Sequence, residues 1–115
     1  MAVHIELGRK GEQLAEDYLL DTGYTILHRN WRHAHLEIDI IAWREPVLHF
    51  IEVKLRSSNK FLPEKSVSKK KFQHLLKAAD EFLYRHPQYR HIQFDIIAIT
   101  LGNKPELLFI EDVYL

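Results

Sequence analysis

Two strand-like runs joined by a short turn constrain the fold of this chain most strongly. Residues 35–43 read HLEIDIIAW and residues 47–56 read VLHFIEVKLR, and both are rich in β-branched or aromatic residues. The sequence REP separates the two runs, and Pro46 limits the backbone conformations available there. The pattern therefore predicts an antiparallel β-hairpin.

Helical and strand patterns flank this hairpin on both sides. The expected elements are a helix over 5–23 ending at Gly23, a strand over 24–32, a helix over 69–86 and strands over 91–100 and 106–115. Residues 57–68 are polar and predict an exposed loop, with Ser66 or Ser68 as a helix cap.

We thus expect one α/β domain over residues 1–115, built in the order α-β-β-β-α-β-β. It would be a mixed β-sheet flanked by helices. The helix between the third and fourth strands predicts a parallel crossover.

Composition excludes several classes of protein. The chain contains no cysteine, which rules out disulfides and thiolate metal sites and fits a reducing cytoplasm. The sequence MAVHIELGRKGE becomes charged too early for a signal peptide. No apolar run approaches the roughly 20 residues that cross a bilayer. We expect a cytoplasmic protein that does not enter a membrane.

The formal net charge is zero, but the charges are unevenly distributed. Residues 54–90 contain ten Lys or Arg and three Asp or Glu, whereas the rest contains six basic and thirteen acidic residues. A basic surface beside an acidic cluster suits a metal site that acts on phosphate, although any α/β domain can show such segregation by chance.

The hairpin carries acids where its strands should be buried. If the turn centres near Glu45, Asp39 and Glu52 lie opposite each other to within about one residue. Two adjacent carboxylates repel unless a cation lies between them, and Mg²⁺ or Mn²⁺ prefers such oxygen ligands. Lys54 shares a strand face with Glu52 and could orient or deprotonate a water.

A less specific interpretation of the same residues exists. An acid two residues before a lysine usually marks a solvated strand face with a cross-strand ion pair. A solvated face should alternate polar and apolar residues, whereas Ile38, Ile40 and Ile41 surround Asp39. This apolar neighbourhood favours the metal site.

Six segments together resemble the YraN-like family of uncharacterised bacterial proteins. They are GRKGEQLAEDYL, RNWR, LEIDIIA, FIEVKLR, VSKKK and FDIIAI, and they span Gly8 to about Thr100. The family resembles the restriction-endonuclease superfamily and is similar in fold to archaeal Holliday junction resolvases. The chain departs from the family pattern at Leu36, where glycine is usual, and at Gln93, where arginine is usual.

The resemblance implies a nuclease core with Asp39, Glu52 and Lys54 as catalytic residues. It adds Glu12 to Asp39 and Glu52 as a metal ligand, although an exposed acid near a helix start is a common surface feature. By analogy with junction resolvases it suggests a homodimer.

Several basic residues are predicted to contact nucleic acid, although each could equally lie on a solvated surface. They are Arg9, Lys10, Arg29, Arg32, Arg56, Lys70 and Lys71. The eight histidines show no zinc-ligand spacing, and the role of Asp95 is left open.

Two functions follow as hypotheses. The first is a Mg²⁺-dependent nuclease-like phosphodiesterase that acts on DNA, including branched or structured DNA. The alternative is a non-catalytic domain that keeps the nuclease fold and binds nucleic acid or a protein. Retained carboxylates favour the enzyme, because a pure binder gains nothing from acids that repel phosphates.

Overall fold

The computed structural model describes residues 2–56 and 69–113 of the chain. The elements are α1 (Ala2–Asp21), β1 (Thr25–His33), β2 (Leu36–Arg44), β3 (Val47–Arg56), α2 (Lys69–Arg85), β4 (Ile92–Thr100) and β5 (Glu106–Ile110). The predicted order α-β-β-β-α-β-β is confirmed. The loop and the serine caps expected over 57–68 lie outside the described residues.

The five strands form one mixed sheet in the order β1-β2-β3-β4-β5. β2 and β3 are the predicted hairpin, and the last pair before its turn is Arg44 opposite Val47. β3 and β4, which precede and follow α2 in the chain, run parallel, and this confirms the predicted crossover. The remaining neighbours, β1 with β2 and β4 with β5, are antiparallel.

Helix α1 covers one face of the sheet, which we call the α1 face. Ala15 and Leu19 are fully buried there against Ile40, Ile51 and Ile97. The helix ends at Asp21, close to the predicted end at Gly23. Gly23 adopts a φ of 94°, a conformation that glycine tolerates best, and this ends the helix.

Gly11 lets α1 approach the sheet closely. A Cβ added to Gly11 would lie 2.6 Å from Leu55 Cδ1. Leu55 follows Lys54 on β3, so this contact fixes the helix beside the strand that carries the predicted site.

Helix α2 covers the opposite face, the α2 face, with the apolar stripe that its sequence predicts. Leu75, Ala79 and Phe82 are buried against Ile41 and Phe50. Burial of these side chains fixes the rotation of α2 about its axis, and therefore fixes which of its other residues lie near β3. Within the described residues, neither helix is long and apolar enough to cross a membrane.

Strands β1 and β2 share an irregularity beside the predicted site. Asn30 has a φ of 51° and lies between the pairs Arg29–Ile40 and Trp31–Ile38, which places it next to Asp39. Ile38 and Ile41 pack in the same α2-face cluster although they are three residues apart, so β2 departs from simple alternation here. Asparagine tolerates this left-handed conformation better than most residues.

Candidate functional site

The hairpin brings Asp39 and Glu52 together. Ile40 and Ile51 form the last pair of the ladder on this side, and Asp39 and Glu52 are the next residues of the two strands. Asp39 Oδ2 accepts a hydrogen bond from the backbone N–H of Val53 at 2.8 Å. This bond joins β2 to β3 beyond the ladder pair Ile40–Ile51 and holds the carboxylate against β3.

The two carboxylates are close enough for the negative charge of Glu52 to disfavour ionisation of Asp39. Glu52 is only 8% exposed. Burial, reinforced by the negative charge of Glu52, raises the pKa of Asp39 to about 7, against the lowering effect of the Val53 hydrogen bond. The fold therefore holds an acid whose ionised form it disfavours, in a place where a cation would stabilise that form.

Lys54 lies on the same face as Glu52, as predicted. Its Nζ is 3.7 Å from Glu52 Oε1, and its side chain is 14% exposed. Burial lowers the pKa of Lys54 to about 8, and the ammonium of Lys71 lowers it further than Glu52 raises it. An amine with a pKa near 8 loses its proton readily close to neutral pH and can then act as a base.

Lys71 of α2 is the fourth member of the site, beside Asp39, Glu52 and Lys54. Its Nζ contacts Glu52 Oε1 directly. Burial lowers the pKa of Lys71, but hydrogen bonds to Glu52 and Lys54 outweigh burial and raise it overall. The sequence predicted Lys71 only as a nucleic-acid contact. Its position beside Glu52 depends on the rotation of α2 over the sheet, which no local pattern reveals.

A cleft of about 140 Å³ opens next to this group on the α2 face. It is lined by His35, Leu36, Glu37, Glu52, Lys71, His74 and Leu75. The rings of His35 and His74 meet edge to face with centroids 5.9 Å apart. Carboxylate, ammonium and imidazole groups thus line a concave space that borders Glu52 directly.

Two arginines of β1 that were predicted to contact nucleic acid lie beside acids of the same chain. Arg29 Nε is 2.5 Å from Glu16 Oε1 of α1, and Arg32 is 3.7 Å from Glu37 of β2. The Arg32–Glu37 pair is exposed and therefore weak, whereas the Glu16 side chain that pairs with Arg29 is only 14% exposed. Contact between these arginines and DNA stays a prediction.

The other predicted cations are exposed and lie on different elements. Arg9 and Lys10 are on α1, Arg56 ends β3, and Lys70 precedes Lys71 on α2. Arg56 is close enough to Lys54 to lower its pKa slightly, so one of the four lies near the carboxylates.

Glu12 is half-buried on α1. Among the side chains of residues 8–56 and 70–113, no three or more His, Asp or Glu lie close enough together to hold a metal ion. Participation of Glu12 in metal binding stays a prediction.

A second buried polar cluster, on the α1 face, was not predicted. His49 Nδ1 lies 2.5 Å from Asp95 Oδ2, and Asp95 Oδ1 accepts 2.9 Å hydrogen bonds from Gln93 Nε2 and the backbone N–H of Asp112. Asp95 is 1% exposed. The structure thus gives Asp95 a role in joining β3, β4 and the segment after β5. It also gives Gln93, a departure from the family pattern, a structural partner.

The donor set of Asp39 and Glu52 fits a hard divalent cation. Both side chains offer carboxylate oxygens, and burial followed by the charge of Glu52 raises the pKa of Asp39, so a bound cation would stabilise its ionised form. Mg²⁺ often binds through one or two carboxylates and fills its remaining positions with water or phosphate oxygens. A pair of carboxylates beside an open cleft is therefore suited to Mg²⁺ or Mn²⁺.

Fold and site together define an α/β domain with a five-stranded mixed sheet that gathers two carboxylates and two lysines into one group. The chain belongs to the YraN-like family: the model of "Uncharacterised protein family UPF0102" matches residues 11–99.

Individual relatives agree with this assignment over nearly their whole length. A UPF0102 protein of Bacteroides thetaiotaomicron is 43% identical over 90% of this chain and 86% of its own. One of Flavobacterium psychrophilum is 44% identical over 90% of this chain and 88% of its own. One of Chloroherpeton thalassium is 36% identical over 99% of this chain and 97% of its own.

Proposed function

We propose that the protein is a Mg²⁺-dependent phosphodiesterase that cleaves DNA, including branched or structured DNA. One observation carries the proposal: Asp39, Glu52 and Lys54 meet on two adjacent strands, and the pKa values of Asp39 and Lys54 are displaced towards neutrality. Displaced pKa values in groups beside Glu52, which lines the cleft, favour a catalytic role over a purely structural one. The resemblance of the motifs to a nuclease core supports the same reaction.

Each residue would have a distinct task. Asp39 and Glu52 would hold the divalent ion, which supplies Lewis acidity towards a phosphate oxygen and makes a bound water more acidic. The hydrogen bond from Val53 keeps the Asp39 carboxylate oriented before any ligand arrives. Lys54 would accept a proton from the attacking water when its amine is neutral, or neutralise phosphate charge when it is an ammonium.

The phosphate would enter from the cleft on the α2 face. Lys71 lines this cleft, and the exposed Lys70 lies next to it in sequence. Cations at the N-terminus of α2 oppose the helix dipole, so their placement is better explained by an external anion than by helix stability. A flexible lysine contacts phosphate without reading base sequence.

The test is cleavage of labelled duplex, single-stranded and four-way-junction DNA in Mg²⁺ or Mn²⁺. We expect cleavage by the wild type and a loss of at least about 100-fold in Asp39→Asn and in Lys54→Met, because each substitution removes a group with a direct role. Glu45→Gln, an exposed change at the hairpin turn, is the control and should cut normally.

A different result would favour the alternative function. If the wild type binds these DNAs but cuts none of them with either metal, the domain is a non-catalytic nucleic-acid-binding module that keeps the nuclease fold. If it neither binds nor cuts DNA, the proposal fails, and an interaction with a protein partner becomes the hypothesis to pursue.

A further inference from the structure

Lys71 differs from the other three members of the site in the exposure of its side chain. Its side chain is 48% exposed, whereas those of Glu52 and Lys54 are 10% and 14% exposed. Asp39 is fixed by the hydrogen bond from Val53. A lysine side chain is a long flexible stem, so Lys71 can leave Glu52 without disturbing the packed core.

Lys71 also contacts a carboxylate oxygen that a metal ion would use. Its ammonium contacts Glu52 Oε1 and also attracts the Asp39 carboxylate. A divalent cation bound to Glu52 would have to displace this ammonium or lie beside it. Like charges at that separation repel, so metal binding and the Lys71–Glu52 contact compete.

The cleft offers the displaced ammonium a new position. Lys71 already lines it, and this is the space through which we expect phosphate to reach the carboxylates. An ammonium released from Glu52 would therefore face the incoming phosphate. The phosphate would replace the Glu52 carboxylate as its counter-ion.

We propose that Lys71 is a positioning residue that neutralises Glu52 in the metal-free protein and turns to the substrate phosphate when a divalent ion binds. This inference rests on the proposed function, since it assumes the same metal site. It predicts that Lys71 weakens metal binding yet strengthens metal-dependent DNA binding, two effects of opposite sign from one side chain.

The first measurement is Mn²⁺ and Mg²⁺ affinity by isothermal titration calorimetry without DNA. Lys71→Met should bind the ions about tenfold more tightly than wild type, because one repelling charge is removed. Lys71→Arg, which keeps the charge, should bind like wild type. Lys77→Met, an exposed change further along α2, is the matched control, and Asp39→Asn should abolish binding.

The second measurement is the affinity for labelled junction DNA by fluorescence anisotropy, with and without Ca²⁺ as a divalent ion for binding. Added Ca²⁺ should strengthen DNA binding by the wild type and by Lys77→Met. The gain should be at least about threefold smaller for Lys71→Met, which has no ammonium to turn towards the phosphate.

The outcomes separate the inference from the function on which it rests. If Lys71→Met binds Mn²⁺ no more tightly than wild type, or responds to Ca²⁺ as wild type does, the role of Lys71 is wrong while the metal site stands. If neither wild type nor Lys71→Met binds Mn²⁺ or Mg²⁺, the proposed function fails and the inference fails with it. Tighter metal binding by Lys71→Arg would also contradict it, because that variant keeps the charge.

Discussion

Two carboxylate clusters, one around Asp95 and one around Asp39 and Glu52, lie on opposite faces of the sheet. The fold stabilises the carboxylates of the two clusters differently. On the α1 face, Asp95 is surrounded by donors from His49, Gln93 and the backbone of Asp112. On the other side of β3, Asp39 accepts one backbone hydrogen bond from Val53 and lies beside a second carboxylate.

The two clusters differ in how the fold stabilises their carboxylates. Three partners from the same chain contact the Asp95 carboxylate, so this cluster needs no group from outside. The cluster at Asp39 holds like charges together and displaces two pKa values. A site of this kind lowers the stability of the fold, and such costs are typical of residues kept for function.

Removal of the structural carboxylate should have the largest effect on stability. Asp95→Ala leaves His49, Gln93 and the Asp112 N–H without their acceptor, and we expect it to lower the free energy of unfolding by about 4 kcal/mol. Urea denaturation measures this value. Asp80→Ala, at an exposed position of α2, is the control and should change it by less than about 0.5 kcal/mol.

A loss of less than about 1 kcal/mol in Asp95→Ala would mean that water replaces the carboxylate. In that case the contrast between the two clusters would disappear.

Neutralising Asp39 should instead raise the free energy of unfolding. Asp39→Asn keeps an oxygen for the Val53 N–H but removes the charge that repels Glu52, so we expect the metal-free protein to gain about 2 kcal/mol at about pH 8. The gain is smaller than the displaced pKa alone implies, because the asparagine places an NH2 group in this buried position, where it needs an acceptor of its own. Urea denaturation in EDTA measures it, with Glu45→Gln as the unaffected control.

The same substitution should change how stability depends on pH. The pKa of Asp39 is raised from 3.8 to about 7 in the folded protein, so between those values the folded state keeps a proton that the unfolded state has lost. This group therefore makes the wild type less stable as pH rises through that window, and the loss levels off above about pH 7.

The amide that replaces the carboxyl group in Asp39→Asn does not titrate. The difference in unfolding free energy between this variant and wild type should therefore grow from about pH 4 to about pH 7 and then stay constant. Urea titrations of both proteins across this range measure it. A difference that shrinks with rising pH would show that Asp39 is stabilised as a carboxylate, contrary to this view of the site.

The smallest predicted effect concerns one donor to Asp95. Gln93→Ala removes the 2.9 Å hydrogen bond to Asp95 and a longer one of 3.4 Å to Glu111, and it leaves the two other partners of Asp95 in place. We expect a loss of about 1 kcal/mol by urea denaturation. A loss as large as that of Asp95→Ala would mean that Gln93 alone organises the cluster.

The sequence predicted the parts of the site that depend on local geometry. A two-residue turn at Glu45 and Pro46 sets the register of the hairpin, so the meeting of Asp39 and Glu52 followed from the strand pattern and its turn. The parallel crossover followed in the same way from a helix placed between two strands.

Other features depend on packing between distant segments and left no local signal. Lys71 reaches Glu52 only because the apolar stripe of α2 fixes the rotation of that helix. Asp95 gains a donor from Asp112, which lies 17 residues further along the chain. The asparagine of the RNWR segment was a weak signal for the irregular backbone beside Asp39, because asparagine tolerates positive φ.

A crystal soaked in Mn²⁺ and measured for anomalous scattering tests most directly whether Asp39 and Glu52 form a metal centre. We expect one strong anomalous peak between their carboxylates, with Lys71 Nζ turned away from Glu52 towards the cleft. The absence of a peak there, or a peak at His35 and His74 instead, would contradict the site and the function proposed from it.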